Sequence, residues 1–245
     1  MVQSMGGILM KSKTRISYVI LKYDDQTDNV YTKTLNNENH VYELPSVNYV
    51  QRRDEKFSAI RNYVIAKAVD FNTLIDENHV FIPFLNVTIE NGNKYYNYIA
   101  VIFESNQNTF SSLSSQSWHR VKYDRKTLTW NLPWGSGLSE PVDFRFKDSA
   151  VSEYCANPAN SDEIDFSNVM RFVTEETRDF PILGLLSGNQ FTMKQVLHYQ
   201  DLLGVDALKA GNNATFESQY SNSIQTIEDD RITTSYKIKN EYLKK

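Results

Sequence analysis

ELPSVNYVQRRDEKFSAIRNYVIAKAVDF, residues 43–71, climbs from a Leu-Pro loop into an amphipathic segment. Phe57, Ile60, Val64, Ala68 and Phe71 recur three or four residues apart, which is one face of a helix. A helix is therefore expected from Asp54 to Phe71, packed on a sheet. Upstream, RISYVILKY and VYTKTL carry the β-branched and aromatic residues of strands and are joined by the polar turn DDQTDN. Downstream, VFIPFLNVTI and YYNYIAVIF flank ENGN, whose Asn91-Gly92 tolerates the positive φ of a tight hairpin.

Residues 105–117, SNQNTFSSLSSQS, read as an exposed polar loop before the strand-like WHRVKY. LTWNL and VDFRF then bracket the turn PWGSGLSEP. Composition shifts around CANPANSDEI, and Asp165 can cap a helix whose face is Phe166, Val169, Met170 and Val173. The sharpest local signal is FTMKQVLHYQDLLG: Thr192 and Gln195 form a capping box, Phe191 and Val196 a hydrophobic staple, and Gly204 a left-handed stop. LKAGNNATFESQYSNSIQTI reads as a turn and another helix, and RITTSYKIK as a short strand. Helix, helix, turn, helix and β-ribbon is the order of a winged helix-turn-helix.

A chain of 245 residues, 40% hydrophobic and 23% charged, has the composition of a soluble globular protein. ISYVIL and YIAVIF fall far short of the roughly 20 apolar residues of a membrane span, and the start MVQSMGGILMKSK lacks a signal-peptide pattern, so a cytoplasmic location is expected. Cys155 is the sole cysteine, which excludes an intrachain disulfide and a cysteine metal cluster. His40, His79, His119 and His198 lack metal-site spacing, and no Gly-rich phosphate loop is present, so neither metal nor cofactor is expected. The net charge of -4 argues against binding nucleic acid by bulk electrostatics alone.

The chain resembles the Nudix-related transcriptional regulators, in which a Nudix-like domain is fused to a C-terminal winged helix. The resemblance runs from about Arg15 to Lys239. It is carried by Leu44-Pro45 entering the helix at Asp54-Glu55, by YYNYIAVIF, by Trp118 opening a strand, by IDFSNVM, by FTMKQVLHYQDLLG, and by Asn213-Ala-Thr-Phe216 heading a recognition helix. It implies an α+β fold: a Nudix-like mixed sheet with flanking helices, plus the winged helix. The implied organisation is an N-terminal extension over 1–13, a Nudix-like domain over 14–158 with its box at 44–71, and a winged helix-turn-helix domain over 159–245. It also implies a homodimer, a DNA partner and a nucleotide-sugar ligand such as ADP-ribose.

The box itself departs from a working one, which sets glutamates on one helical face to hold Mg²⁺ at a diphosphate. With Glu55 on the first glutamate, Tyr63 and Val64 stand where Arg-Glu belong, and the metal-binding pair has no carboxylate. Shifting the register to Arg61 puts Asn62, Ile65 and Ala66 at those positions. Lys67 adds a cation beside the vacant site. The box reads as a scaffold, with no catalytic residue assigned.

For DNA the candidates are Lys194, Lys209, Asn212, Asn213, Thr215, Gln219, Arg231, Lys237 and Lys239. Between Asp206 and Ile224 the only cation is Lys209, and residues 191–245 hold seven Lys or Arg against seven Asp or Glu. Phosphate neutralisation, which supplies most DNA affinity, must come from few residues. Two alternatives stay open: a divergent hydrolase of ADP-ribose-type diphosphates using carboxylates outside the box, such as Glu55, Asp70, Asp76 or Glu77, and a protein-interaction scaffold. Tyr95, Tyr96, Tyr98, Trp130 and Trp134 read as packing residues before ligand-stacking ones.

Overall fold

The computed structural model describes residues 12–36, 42–51, 55–71, 75–90, 93–104, 118–126, 129–131, 145–147, 161–205, 210–227 and 233–243. Its spine is β1 (Ser12–Asp24), which turns through Asp24–Asp28 into antiparallel β2 (Asn29–Lys33), as the two-strand reading requires. Asp28 takes a left-handed φ of 54°, a conformation that Asp tolerates better than most residues. Two short strands, β3 (Leu35–Asn36) and β4 (Tyr42–Glu43), pair with each other.

Ser46–Gln51, expected as loop, is instead a strand, β5, antiparallel to the first half of β1. Helix α1 (Phe57–Ala68) follows and tightens into a 3₁₀ turn over Val69–Phe71. Ile60, Val64, Ala68 and Phe71 are buried as the periodicity predicts. Phe57 is not: it is 51% exposed. The expected start at Asp54 is also too early by a turn, since Glu55 and Lys56 lie outside the helix.

The hairpin of β6 (Val80–Glu90) and β7 (Asn93–Glu104) forms as predicted, with Glu90 opposite Asn93; Asn91 and Gly92 lie outside the described residues. β7 runs parallel to β1 over ten pairs, from Lys13↔Tyr95 to Lys22↔Glu104. With β8 (Trp118–Arg120) on β2, the sheet has six strands in the order β6-β7-β1-β2-β8, and β5 lies beside β2 on the same edge of β1. A three-stranded sheet joins β9 (Lys122–Asp124), β10 (Thr129–Asn131) and β11 (Arg145–Lys147), so LTWNL and VDFRF do pair. The loop over 105–117, the turn PWGSGLSEP and the composition shift at CANPANSDEI lie outside the described residues.

Helix α2 (Ser161–Asp179) starts a turn before Asp165, which is therefore inside the helix and not its cap. Its face of Phe166, Val169, Met170 and Val173 is fully buried. A 3₁₀ segment over Ile182–Ser187 leads to α3 (Met193–Leu203), with Thr192 and Gln195 in a capping box and Gly204 left-handed at φ 67°. The last helix, α4 (Asn213–Tyr220), is shorter than expected: Ile224–Ile227, at the end of the predicted helix, is strand β12, antiparallel to β13 (Ser235–Ile238).

The alternating side chains of β1 assign the two sheet faces. Ile16, Tyr18 and Ile20 pack with Ile60, Val64 and Ala68 of α1, and with Tyr98, Ala100 and Ile102 of β7. Val19 and Leu21 point the other way, into a cluster that also holds Val101, Phe103, Phe166, Val173, Leu183, Val196, Phe216 and Tyr236. One apolar core therefore joins the sheet to α2, α3, α4 and the β12–β13 ribbon. No helix among the described residues is long and apolar enough to cross a membrane.

Candidate nucleic-acid interface

The alternative of a hydrolase depends on the carboxylates of the α1 region. Arg61 donates to the carbonyls of Val80 and Glu77, each at 2.7 Å, which ties the helix to the start of β6. Asp70 is paired with Lys67 at 2.8 Å, so this carboxylate already has a cation partner. Asp76 accepts from the Asn78 amide at 2.9 Å and caps the 3₁₀ turn Glu77–His79. Among the described residues, no three His, Cys, Asp or Glu side chains come together as a metal site would require.

The other residues considered for chemistry are mostly packing. Tyr98 is buried against α1, whereas Tyr95 and Tyr96 are half-buried. His79 is buried, with Nδ1 3.1 Å from the Phe103 carbonyl, and His119 is buried on β8. Trp130 is buried and its indole N–H donates to the Leu203 carbonyl at 2.9 Å, closing the C-terminal end of α3. His40 and Trp134 lie outside the described residues.

Helix α3 is gripped by the sheet at several points. His198 meets Asp28 of the β1–β2 turn, and Tyr23 donates to the same carboxylate at 2.8 Å. The hydrogen bond from His198, helped by that from Tyr23, holds the Asp28 carboxyl below its ordinary range. Tyr23 also packs on Tyr199 at 4.7 Å between ring centroids, and Tyr199 shares a 2.7 Å hydrogen bond with Ser187. Arg125 pairs with Asp201, and the Tyr123 ring lies so close to Gly204 that a Cβ there would clash with it.

The polar candidates gather where α3 and α4 begin. Thr192 accepts from the Gln195 amide at 3.3 Å, and Asn212 accepts from the Thr215 amide at 2.9 Å, so each helix starts with a satisfied cap. Both starts open on one cavity of about 390 Å³, lined by Thr192, Met193, Lys194, Asn212, Asn213, Thr233 and Thr234. Lys194, Asn212, Asn213 and Thr215 are exposed. Two helix N-termini on one space, with Lys194 among the lining residues, suit an anion, because the amide ends of helices carry partial positive charge.

The remaining candidates are dispersed. Gln219 is exposed and its amide reaches the Arg178 carbonyl at 3.4 Å. Lys237 lines a separate cavity of about 260 Å³ with Asn78, Asn189 and Asn240. Lys239 donates to the carbonyls of Ser221 and Asn222 at 3.0 and 2.9 Å, so its ammonium is engaged in holding the end of α4. Lys209 and Arg231 lie outside the described residues. The sequence signals at Thr192 and Asn213 did not reveal the role of Tyr236, whose hydroxyl donates to Glu217 of α4 at 2.9 Å. Only the alternation of the last strand hints that Tyr236 turns inward.

No protein-family model matches the sequence, and no curated protein does either. Solved structures do match. A MutT/nudix family protein from Enterococcus faecalis aligns over 94% of this chain and 88% of its own, with a TM-score of 0.64 at 13% identity. Shewanella oneidensis NrtR aligns over 93% and 94%, with a TM-score of 0.56 at 10% identity. NrtR complexed with a 27mer DNA aligns over 94% and 95%, with a TM-score of 0.53 at 11% identity. At such identities the likeness is one of fold, and it spans sheet and C-terminal helices alike: the chain has the α+β, Nudix-like fold of these proteins.

Proposed function

We propose that the protein is a cytoplasmic, homodimeric transcription regulator that binds DNA through α3, α4 and the β12–β13 ribbon, used as a winged helix-turn-helix. The observation that carries this reading is the shared cavity at the starts of α3 and α4, with Lys194 at its rim. In a helix-turn-helix the second helix enters the major groove by its N-terminal residues, and amide groups at helix starts bind phosphate. A neutral C-terminal part makes few phosphate contacts, and two copies double them. NrtR, whose fold this chain shares, has been solved with DNA.

The ligand in this reading is a nucleotide sugar such as ADP-ribose, sensed by the Nudix-like part without hydrolysis. Contacts from Asp28, Tyr23, Trp130 and Arg125 to α3 supply the means of coupling, because a shift of the sheet's turns moves the helix they hold.

The deciding experiment is a salt titration of the full chain against DNA from its own upstream region, with and without ADP-ribose, read by fluorescence anisotropy. Binding that weakens with salt and shifts with ligand is expected. No binding at low salt in either arm overturns the reading.

A further inference from the structure

We infer that the outward face of α4 reads A·T base pairs and does not specify guanine. This rests on the DNA-binding reading above and adds to it the class of sequence bound.

Phe216 and Tyr220 point into the core, which turns Ala214, Ser218 and Ser221 outward with Thr215 on their flank and Asn213 at the helix start. All five are exposed. Guanine is specified in the major groove chiefly by Arg or Lys on its O6 and N7, and α4 has no cation. Cytosine is specified by a carboxylate accepting from N4, and the one carboxylate here, Glu217, accepts from the Tyr236 hydroxyl at 2.9 Å and is half-buried.

The hydroxyls of Ser218 and Ser221 can serve any base, and the groups that discriminate suit adenine and thymine. Thr215 commits its hydroxyl to Asn212 at 3.2 Å, so its exposed side chain offers a methyl, as Ala214 does, to the C5 methyl of thymine. Asn213 donates to Thr234 at 3.3 Å, which leaves its amide oxygen to accept from the adenine amino group. Lys194, beside the helix start, is then left to phosphate, which carries no sequence information.

The test selects duplexes bound by the full chain from a random library at about 50 mM salt. The selected duplex is then remade with uracil for thymine, which removes only the methyl. A selected core of A·T pairs is expected, with binding of the uracil duplex roughly fourfold weaker for each contacted methyl that is lost. Ser218→Arg, at an exposed position, is expected to shift selection toward guanine while leaving the circular dichroism spectrum unchanged. A core in which the unmodified chain requires guanine, or equal affinity for the uracil duplex, overturns the inference and leaves DNA binding standing. Failure to retain any duplex overturns both.

Discussion

Lys22 and Glu104 stand opposite each other on the parallel pair β1 and β7, 2.9 Å apart and almost wholly buried. Burial pushes the Glu104 carboxyl above its ordinary range, against the pull of Lys22, and the same desolvation lowers Lys33, whose ammonium lies 5.5 Å from the Trp118 ring centre. A pair this buried is weak evidence for net stability, but removing one partner leaves a bare charge. Lys22→Met is expected to cost about 3–5 kcal/mol, and the double change with Glu104→Leu to recover most of it, in urea unfolding. Asp28 gives the pH dependence. Its carboxyl is lowered by His198 and Tyr23, so its contribution is complete above about pH 3.9 and is lost as pH falls through the depressed value. Asp28→Asn should flatten that part of the acid limb in a pH series of unfolding curves.

At the scale of elements, α3 is the best test of the fold. Thr192→Ala removes its cap and is expected to cost about 1 kcal/mol. Trp130→Phe leaves the Leu203 carbonyl without its indole donor, and a loss of about 1–3 kcal/mol is expected in the same unfolding assay. Tyr236→Phe removes the hydroxyl that holds Glu217 and frees this carboxylate toward the exposed side of α4, which the proposed function assigns to DNA. Binding to the selected duplex should weaken by more than stability alone explains, which anisotropy measured well below the melting temperature will show.

These elements also mark how far sequence carries. Thr192 and Gln195 are three residues apart, and Gly204 ends its own helix, so α3 was legible from one short segment. Strand β5 was not, because its partners on β1, from Ser17 opposite Ser46 to Ser12 opposite Gln51, lie far upstream, and its side chains alternate weakly. Phe57 fits the apolar stripe of α1 yet is exposed, since periodicity finds a face of the helix but not how much of that face is covered. For the site, Asn212, Asn213 and Lys194 were recognisable as polar or basic residues near helix starts. That two starts share a cavity, and that Lys239 is drawn to the end of α4, depends on contacts across the ribbon.

For the whole molecule, one apolar core joins the sheet to the C-terminal helices, and we predict a single cooperative unfolding transition instead of separate ones on either side of the boundary expected near residue 158. Calorimetric and van't Hoff enthalpies that agree will bear this out. A fragment ending at residue 158 should fail to give a native, dispersed amide spectrum, because the Val19, Leu21, Val101 and Phe103 face of its sheet is left uncovered.

The same two-faced sheet bears on synthesis by the ribosome. Strands β1 and β7 can pair, and α1 can cover one side, long before Phe166 to Tyr236 have emerged to cover the other. At about 5–20 residues per second those seventy positions take roughly 4–14 s to make. For that interval the nascent chain presents a finished but half-naked sheet, a ready substrate for a ribosome-associated chaperone.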